Sequence, residues 1–215
     1  MTLKLNGSSS GSVSIDAPAS TTGGADVTLT LPVNDGDADQ VLKTDGSGNL
    51  SFGAAGGITS AQQFRLAADQ GGSSSAGTVI TNWEENDTDY QAIGSNWSQS
   101  SGVFSCSATG IYLVSWTLVI TGTNTGDAYD PNVQISTDTG GSYTTRSRSW
   151  GHISNSSSLN RVPVQNQFIV DVANTSTFRL RVRESEDNDI SSGTTIGGDS
   201  NSCETNILFI RLGAT

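Results

Sequence analysis

Two stretches of this chain are apolar on both sides of a strand. Ile111-Tyr-Leu-Val-Ser-Trp-Thr-Leu-Val-Ile120 sets Tyr112, Val114, Trp116 and Leu118 on one face and Ile111, Leu113 and Val119 on the other; Ile207-Leu-Phe-Ile-Arg-Leu212 repeats the pattern near the C-terminus. Successive strand residues point to opposite faces, so neither face of such a strand lies in bulk water. One face belongs in a sandwich and part of the other against a second layer or a second subunit. The two stretches are expected side by side as central strands. Tyr112, Trp116, Ile207 and Phe209, with Ile111 and Leu113, are the residues expected in the core or between copies, and their surplus apolar surface predicts a closed oligomer.

Composition fixes the class. Gly is 25 of 215 residues and Lys occurs only as Lys4 and Lys43. Good helix formers are scarce, while Thr, Val and Ile suit pleated surfaces and Gly, Ser, Asn and Asp supply turns. An all-β protein of short strands follows. Asp+Glu is 21 against 10 Lys+Arg, a formal charge of −11 that repels nucleic acid and anionic membranes, so neither is an expected partner. The run from Ile111 to Ile120 is about half of what a membrane-spanning helix needs. The residues after Met1 are polar, without the pattern of a secretory signal, which predicts synthesis in a cytosol or export by other means.

Organisation changes at Gly53-Ala-Ala-Gly-Gly57, a hinge-like stretch that divides an N-terminal segment, 1–57, from a domain at 58–215. The segment holds three weak alternating runs, Leu3–Leu5, Val13–Ile15 and Val27–Leu31, and too few large apolar side chains for a core. It is either disordered or folds by winding around copies of itself or docking on a partner. Beyond it, strands are expected at Gln62–Leu66, Thr78–Trp83, Tyr90–Trp97, Gly102–Ser107, Ile111–Ile120, Asn132–Thr137, Ser142–Trp150, Leu159–Val164, Gln167–Val172, Thr177–Val182 and Asn206–Leu212. Gly102–Ser107 and Ile111–Ile120, joined by a turn at Ala108-Thr-Gly110, read as a hairpin. This number of short strands suits a two-sheet jelly roll.

Gly102-Val-Phe-Ser-Cys-Ser-Ala-Thr-Gly-Ile-Tyr-Leu-Val-Ser-Trp116 resembles the signature of the tumour necrosis factor and complement globular-head jelly rolls. The resemblance covers 61–213 and implies a compact homotrimer; the insert Gly151–Asn160 departs from it. The opening residues, Ala17–Pro32 and Gln40-Val-Leu-Lys-Thr-Asp-Gly-Ser-Gly-Asn-Leu-Ser-Phe52, resemble a low-complexity module of tail-fibre and appendage proteins of tailed phages, marine cyanophages in particular. That resemblance implies an extended arm or trimeric β-prism joined to other virion proteins, and a virion location for a protein made in the host cytoplasm. Together they imply a homotrimeric fibre or appendage whose jelly roll binds a host-surface glycan, with a capsid decoration (cement) protein as the alternative and a polysaccharide depolymerase behind both.

No catalytic, metal or cofactor site is expected. His152 is the single histidine, and Cys106 and Cys203 cannot form a Cys-rich zinc site; they are expected as buried free thiols rather than a disulfide. The acidic stretches Glu84–Asp89 and Glu184–Asp189 lack the twelve-residue calcium-loop pattern and read as solvated turns. Arg179, Arg181 and Arg183 share one strand face and are expected to pair with carboxylates across strands or subunits. Trp150, His152 and Tyr143 are the candidate glycan-facing residues, since an exposed ring can stack on a sugar.

Overall fold

The computed structural model describes residues 3–6, 8–71, 77–87, 90–123, 128–185 and 194–215. The chain divides into two compact units, 1–57 and 58–215.

The first unit is two hairpins and extended chain. Strands β1 (Leu3–Asn6) and β2 (Ser12–Ile15) pair with Leu3 opposite Ile15; β3 (Gln40–Thr44) and β4 (Leu50–Ala54) pair with Leu42 opposite Phe52. Asp45 pins the second turn, its carboxylate accepting from the Ser47 and Asn49 amides at 2.8 and 3.1 Å and from the Asn49 side chain at 2.7 Å. Gly48 (φ 93°) leaves no room for a side chain, because a Cβ there would lie 2.3 Å from the Thr28 carbonyl oxygen. The expected strand Val27–Leu31 is reduced to a single bridge, Thr30 with Asn49. None of the unit's described side chains is buried: Leu3, Leu5, Ile15, Leu29 and Leu31 are all more than half exposed.

The second unit is a two-sheet jelly roll. Its strands are β5 (Ala61–Leu66), β6 (Ala68–Gly71), β7 (Trp83–Glu85), β8 (Trp97–Ser100), β9 (Val103–Cys106), β10 (Gly110–Gly122), β11 (Ala128–Tyr129), β12 (Asn132–Ser136), β13 (Thr144–Arg148), β14 (Gly151–His152), β15 (Asn160–Val172), β16 (Arg179–Arg183), β17 (Thr194–Asp199) and β18 (Asn206–Gly213). In the first sheet β15 pairs with one edge of β10 along its whole length. The other edge of β10 takes β18 at one end and β17 at the other, β5 and β7 following β18 and β6 following β17. The second sheet runs β13-β12-β16-β9-β8. The chain crosses repeatedly between the sheets, β9 in the second, β10 in the first, β12 and β13 in the second, β15 in the first, β16 in the second and β17 and β18 in the first, which is the crossing pattern of a jelly roll.

The expected neighbours β10 and β18 do pair, Trp116 opposite Ile207 and Val114 opposite Phe209. The expected hairpin does not form. Val103–Cys106 pairs with β8 and β16, while the next strand belongs to the other sheet, so 107–109 arches across the sandwich instead of turning back in one sheet. The arch lets the inner faces of both strands pack: Phe104, Cys106, Tyr112 and Val114 are all buried, and the Phe104 ring lies 5.4 Å from that of Phe209.

Three other expectations are corrected. Leu159–Val164 and Gln167–Val172 are one strand, because the polar Gln165-Asn166 pair lies on an exposed edge and Pro163 costs no ladder bond there. Thr78–Trp83 and Tyr90–Trp97 are not strands, apart from bridges at Val79 and Ile93 and the final residues Trp83 and Trp97, which open β7 and β8. Side chains replace the missing ladder: Gln62 Oε1 accepts from the Trp97 amide at 2.6 Å, and the Tyr90 hydroxyl accepts from the Gln63 amide at 2.6 Å. Finally β17 is a strand that the sequence reading does not include; a Cβ at its Gly198 would lie 2.5 Å from the Ala68 carbonyl oxygen, so the close pairing with β6 selects glycine.

Candidate functional site

The first sheet has an inner and an outer face, and strand alternation assigns them. On β10 the inner set, Tyr112, Val114, Trp116, Leu118 and Ile120, is fully buried, as are Ile207 and Phe209 on β18. These core residues include four of the six singled out for packing. The other two, Ile111 and Leu113, lie half-buried on the outer face.

Cross-strand register builds the outer face in rows. One row runs Ile169, Leu113, Ile210, Ala61 over β15, β10, β18 and β5. The next runs Gln167, Ser115, Leu208, Gln63, and a third Gln165, Thr117, Asn206, Arg65. Apolar side chains therefore collect toward the Ile111 end of β10, where Ile169 is 64% exposed. Polar side chains fill the middle rows, beyond which Val119 lies opposite Pro163. Ser115, Gln165, Asn166 and Gln167 line an open hollow there.

Arg65 closes the third row. Its guanidinium is 2% exposed and donates to Glu84 at 2.8 Å, to the Asn86 side chain at 2.8 Å and to Asp87 at 2.6 Å. The hydrogen bond and charge of Glu84 hold it firmly protonated. Glu84 and Asp87, read from sequence as members of a solvated turn, thus form a cage for a buried cation. Glu184 likewise is buried rather than solvated, and Ser185 donates to Asp130 at 2.5 Å; the remainder of that acidic stretch lies outside the described residues.

The second sheet carries the arginines on its outer face. Arg181 donates to Gln134 Oε1 at 2.9 Å and lies 3.8 Å from the centre of the Tyr143 ring; Arg179 donates to the Phe178 carbonyl at 2.6 Å. The partners of these two are neutral, and Arg183 donates to the Gly77 carbonyl at 2.9 Å. Arg148 does meet an acid, Asp130 at 3.5 Å. Tyr143 follows a turn built on Asp138, whose carboxylate takes Ser136 Oγ at 2.6 Å and the Ser142 amide at 2.9 Å. These hydrogen bonds hold the Asp138 carboxyl well below the usual carboxylate range.

Of the three candidate glycan-facing residues, Trp150 is 71% exposed and His152 is exposed beside it on β14, whereas Tyr143 has one ring face taken by Arg181. Asn166 ties Trp150's segment to the hollow, its amide donating to the Arg148 carbonyl at 2.8 Å, and the Arg148 guanidinium lies 6.0 Å from the Trp150 ring centre. Cys106 is buried, but Cys203 is exposed, not buried as expected; both are free thiols. Among the described residues no group of three or more His, Cys, Asp or Glu could hold a metal ion. No described helix is long and apolar enough to cross a membrane.

Sheets ordered β7-β5-β18-β10-β15 and β8-β9-β16-β12-β13 define a jelly roll of the tumour necrosis factor type. No family model and no curated protein matches the sequence. Among solved structures the chain is similar to Eiger, a tumour necrosis factor from S. frugiperda, with a TM-score of 0.53 and 12% identity over 72% of this chain and 93% of that one. Murine APRIL at pH 8.5 and at pH 5.0 gives a TM-score of 0.48 at 12% identity, over 71% of this chain and 98% of APRIL. At such identities the likeness is one of fold.

Proposed function

We propose that this chain is a self-assembling display protein of a tailed-phage virion, a homotrimeric fibre or appendage. Unit 58–215 associates through the apolar rows of its outer sheet face and presents the jelly roll to the host surface, while unit 1–57 joins other virion proteins. The observation that carries self-association is the row Ile169-Leu113-Ile210 with Leu208 beside it, an apolar patch on a sheet whose inner face already fills the core. Leaving such a patch wet is unfavourable by roughly 25 cal/mol per Å2, which a second copy of the same face removes. Three copies then multiply weak contacts with a repetitive glycan, so avidity does the holding.

The virion reading is supported by the first unit. Its side chains stay exposed, and nine apolar ones from Leu3 to Leu42 are more than 40% exposed, as suits a segment that finishes folding against a partner. Its Thr44-Asp-Gly-Ser-Gly-Asn-Leu50 turn belongs to the stretch that resembles phage appendage modules. Electron microscopy of particles labelled with antibody to 58–215 tests this: label on the tail is expected, label on the head selects a decoration protein, and unlabelled particles from a culture that makes the protein overturn the virion assignment. Reducing ends released from host glycan by the purified protein would instead favour a depolymerase.

A further inference from the structure

Half of the chain's ten lysines and arginines stand on one sheet. The adjacent strands β13, β12 and β16 carry Arg146, Arg148, Arg179, Arg181 and Arg183, and none of the 21 acidic residues. Leu180 and Val182 are fully buried, so alternation turns Arg179, Arg181 and Arg183 to the outer face. Arg148 stands in the same row as Arg183, on either side of Asn132. Arg146 is the extra residue of a bulge in the edge strand β13 and is exposed.

Part of this charge is left unmatched within the protein. Arg65, Arg148 and Arg161 each meet a carboxylate, at 2.8, 3.5 and 3.3 Å. Among the described residues Arg146, Arg179 and Arg181 meet none. Arg181 gives its Nε–H to Gln134, and its two terminal nitrogens donate to nothing. Arg179 uses only one terminal nitrogen, on the Phe178 and Thr175 carbonyls at 2.6 and 3.5 Å, and Arg146 makes no hydrogen bond at all. The Tyr143 ring, 3.8 Å from the Arg181 guanidinium, covers one face of that fork and holds its plane. Burial presses the Arg181 guanidinium below the ordinary arginine value, Tyr143 acting against the shift and the charge of Arg183 adding to it; a bound carboxylate would reverse it.

We propose that Arg146, Arg179 and Arg181 dock an acidic polysaccharide, a polymer of uronate sugars, along the outer face of the second sheet. The proposal rests on the glycan-binding reading above and gives it a place and a ligand class. A planar fork with its terminal nitrogens open is matched by a carboxylate, which takes two parallel N–H bonds. Arg181 lies about 7 Å along its strand from Arg179, and two strand spacings, about 10 Å, from β13, so one small anion cannot reach all three whereas an extended polymer can. Duplex nucleic acid, with a charge about every 1.7 Å, is the poorer fit, because a chain of net charge −11 repels it beyond the arginine strip. The face lies across the sandwich from Leu113, Ile169 and Ile210, so association through those residues leaves it open.

The full chain is titrated by calorimetry with a galacturonate hexamer, with maltohexaose and with a short DNA duplex, at low and at high salt. The galacturonate is expected to bind, and more weakly as salt rises, while the other two do not. Arg146→Gln with Arg179→Gln weakens that binding by about tenfold or more, and Arg181→Lys, which keeps the charge and loses the fork, by about fivefold. Arg146→Glu, at an exposed side chain without contacts, weakens it with near-ultraviolet dichroism unchanged. No galacturonate binding, binding that ignores these substitutions, or tighter binding of the duplex overturns the proposal. Maltohexaose bound in place of the galacturonate overturns this face and leaves the glycan-binding reading standing; galacturonate bound by a single copy upholds the face and refutes the trimer.

Discussion

The indole of Trp97 lies flat on the ring of Phe209, centroids 3.9 Å apart and planes 13° from parallel, joining β8 of one sheet to β18 of the other. Phe209 also meets Phe64 and Phe104 at 6.2 and 5.4 Å, and is fully buried. Phe209→Ala therefore empties the contact between the sheets. Urea unfolding is expected to show a loss of about 3–5 kcal/mol, and Phe209→Leu a smaller one. Equal stability of the alanine variant would refute the packing.

Arg65 offers a second test, because three acceptors meet one buried guanidinium. Glu84→Gln leaves the cation short of negative charge, and Arg65→Lys supplies an ammonium that cannot match the planar fork. Both variants are expected to melt several degrees below the parent in calorimetry. An unchanged midpoint for both would mean that the cage contributes nothing.

The thiols separate by accessibility. Desolvation pushes both thiols up, but Cys106 is buried and donates toward the Ala108 carbonyl at 3.2 Å, whereas Cys203 is exposed to a reagent. A thiol reagent at mildly alkaline pH should modify Cys203 alone in the native protein and both residues after denaturation. Two fast equivalents in the native state would place Cys106 outside the core.

Alkaline pH should unfold the domain. Burial pushes both Tyr112 and Tyr129 up to about 12. A folded-state value above the ordinary one means that the native state holds the phenolic proton more tightly. That contribution is complete below pH about 10 and is lost as pH rises through about 12. Of the four tyrosines, two are expected to ionise only near the upper end of that range, together with loss of near-ultraviolet dichroism. Ionisation of all four near pH about 10 in a folded protein would contradict the buried placement.

These cases also mark what the sequence discloses. Alternation over Ile111–Ile120 and Ile207–Leu212 is local, and it correctly gave two doubly apolar strands lying side by side. Which sheet a strand joins is not local: the short stretch 107–109 closes a hairpin or spans a sandwich with the same residues, and only the packing of Phe104 on Phe209 decides. The Arg65 cage was illegible for a similar reason, since Glu84 and Asp87 lie some twenty residues along the chain and an acidic stretch looks solvated until a buried cation faces it. The continuity of β15 was missed because Gln165-Asn166 reads as a break between two strands, whereas it is the exposed middle of one. Trp150 was legible from its polar surroundings alone.

The measurement that bears most directly on self-association is the solution mass of the full chain, by light scattering at micromolar concentration, beside that of Leu113→Asp. The parent is expected at three times 22.2 kDa, and the variant, with a charge set between Ile169 and Ile210, at 22.2 kDa with its β-sheet dichroism intact. A parent that is folded and remains at 22.2 kDa would contradict the account.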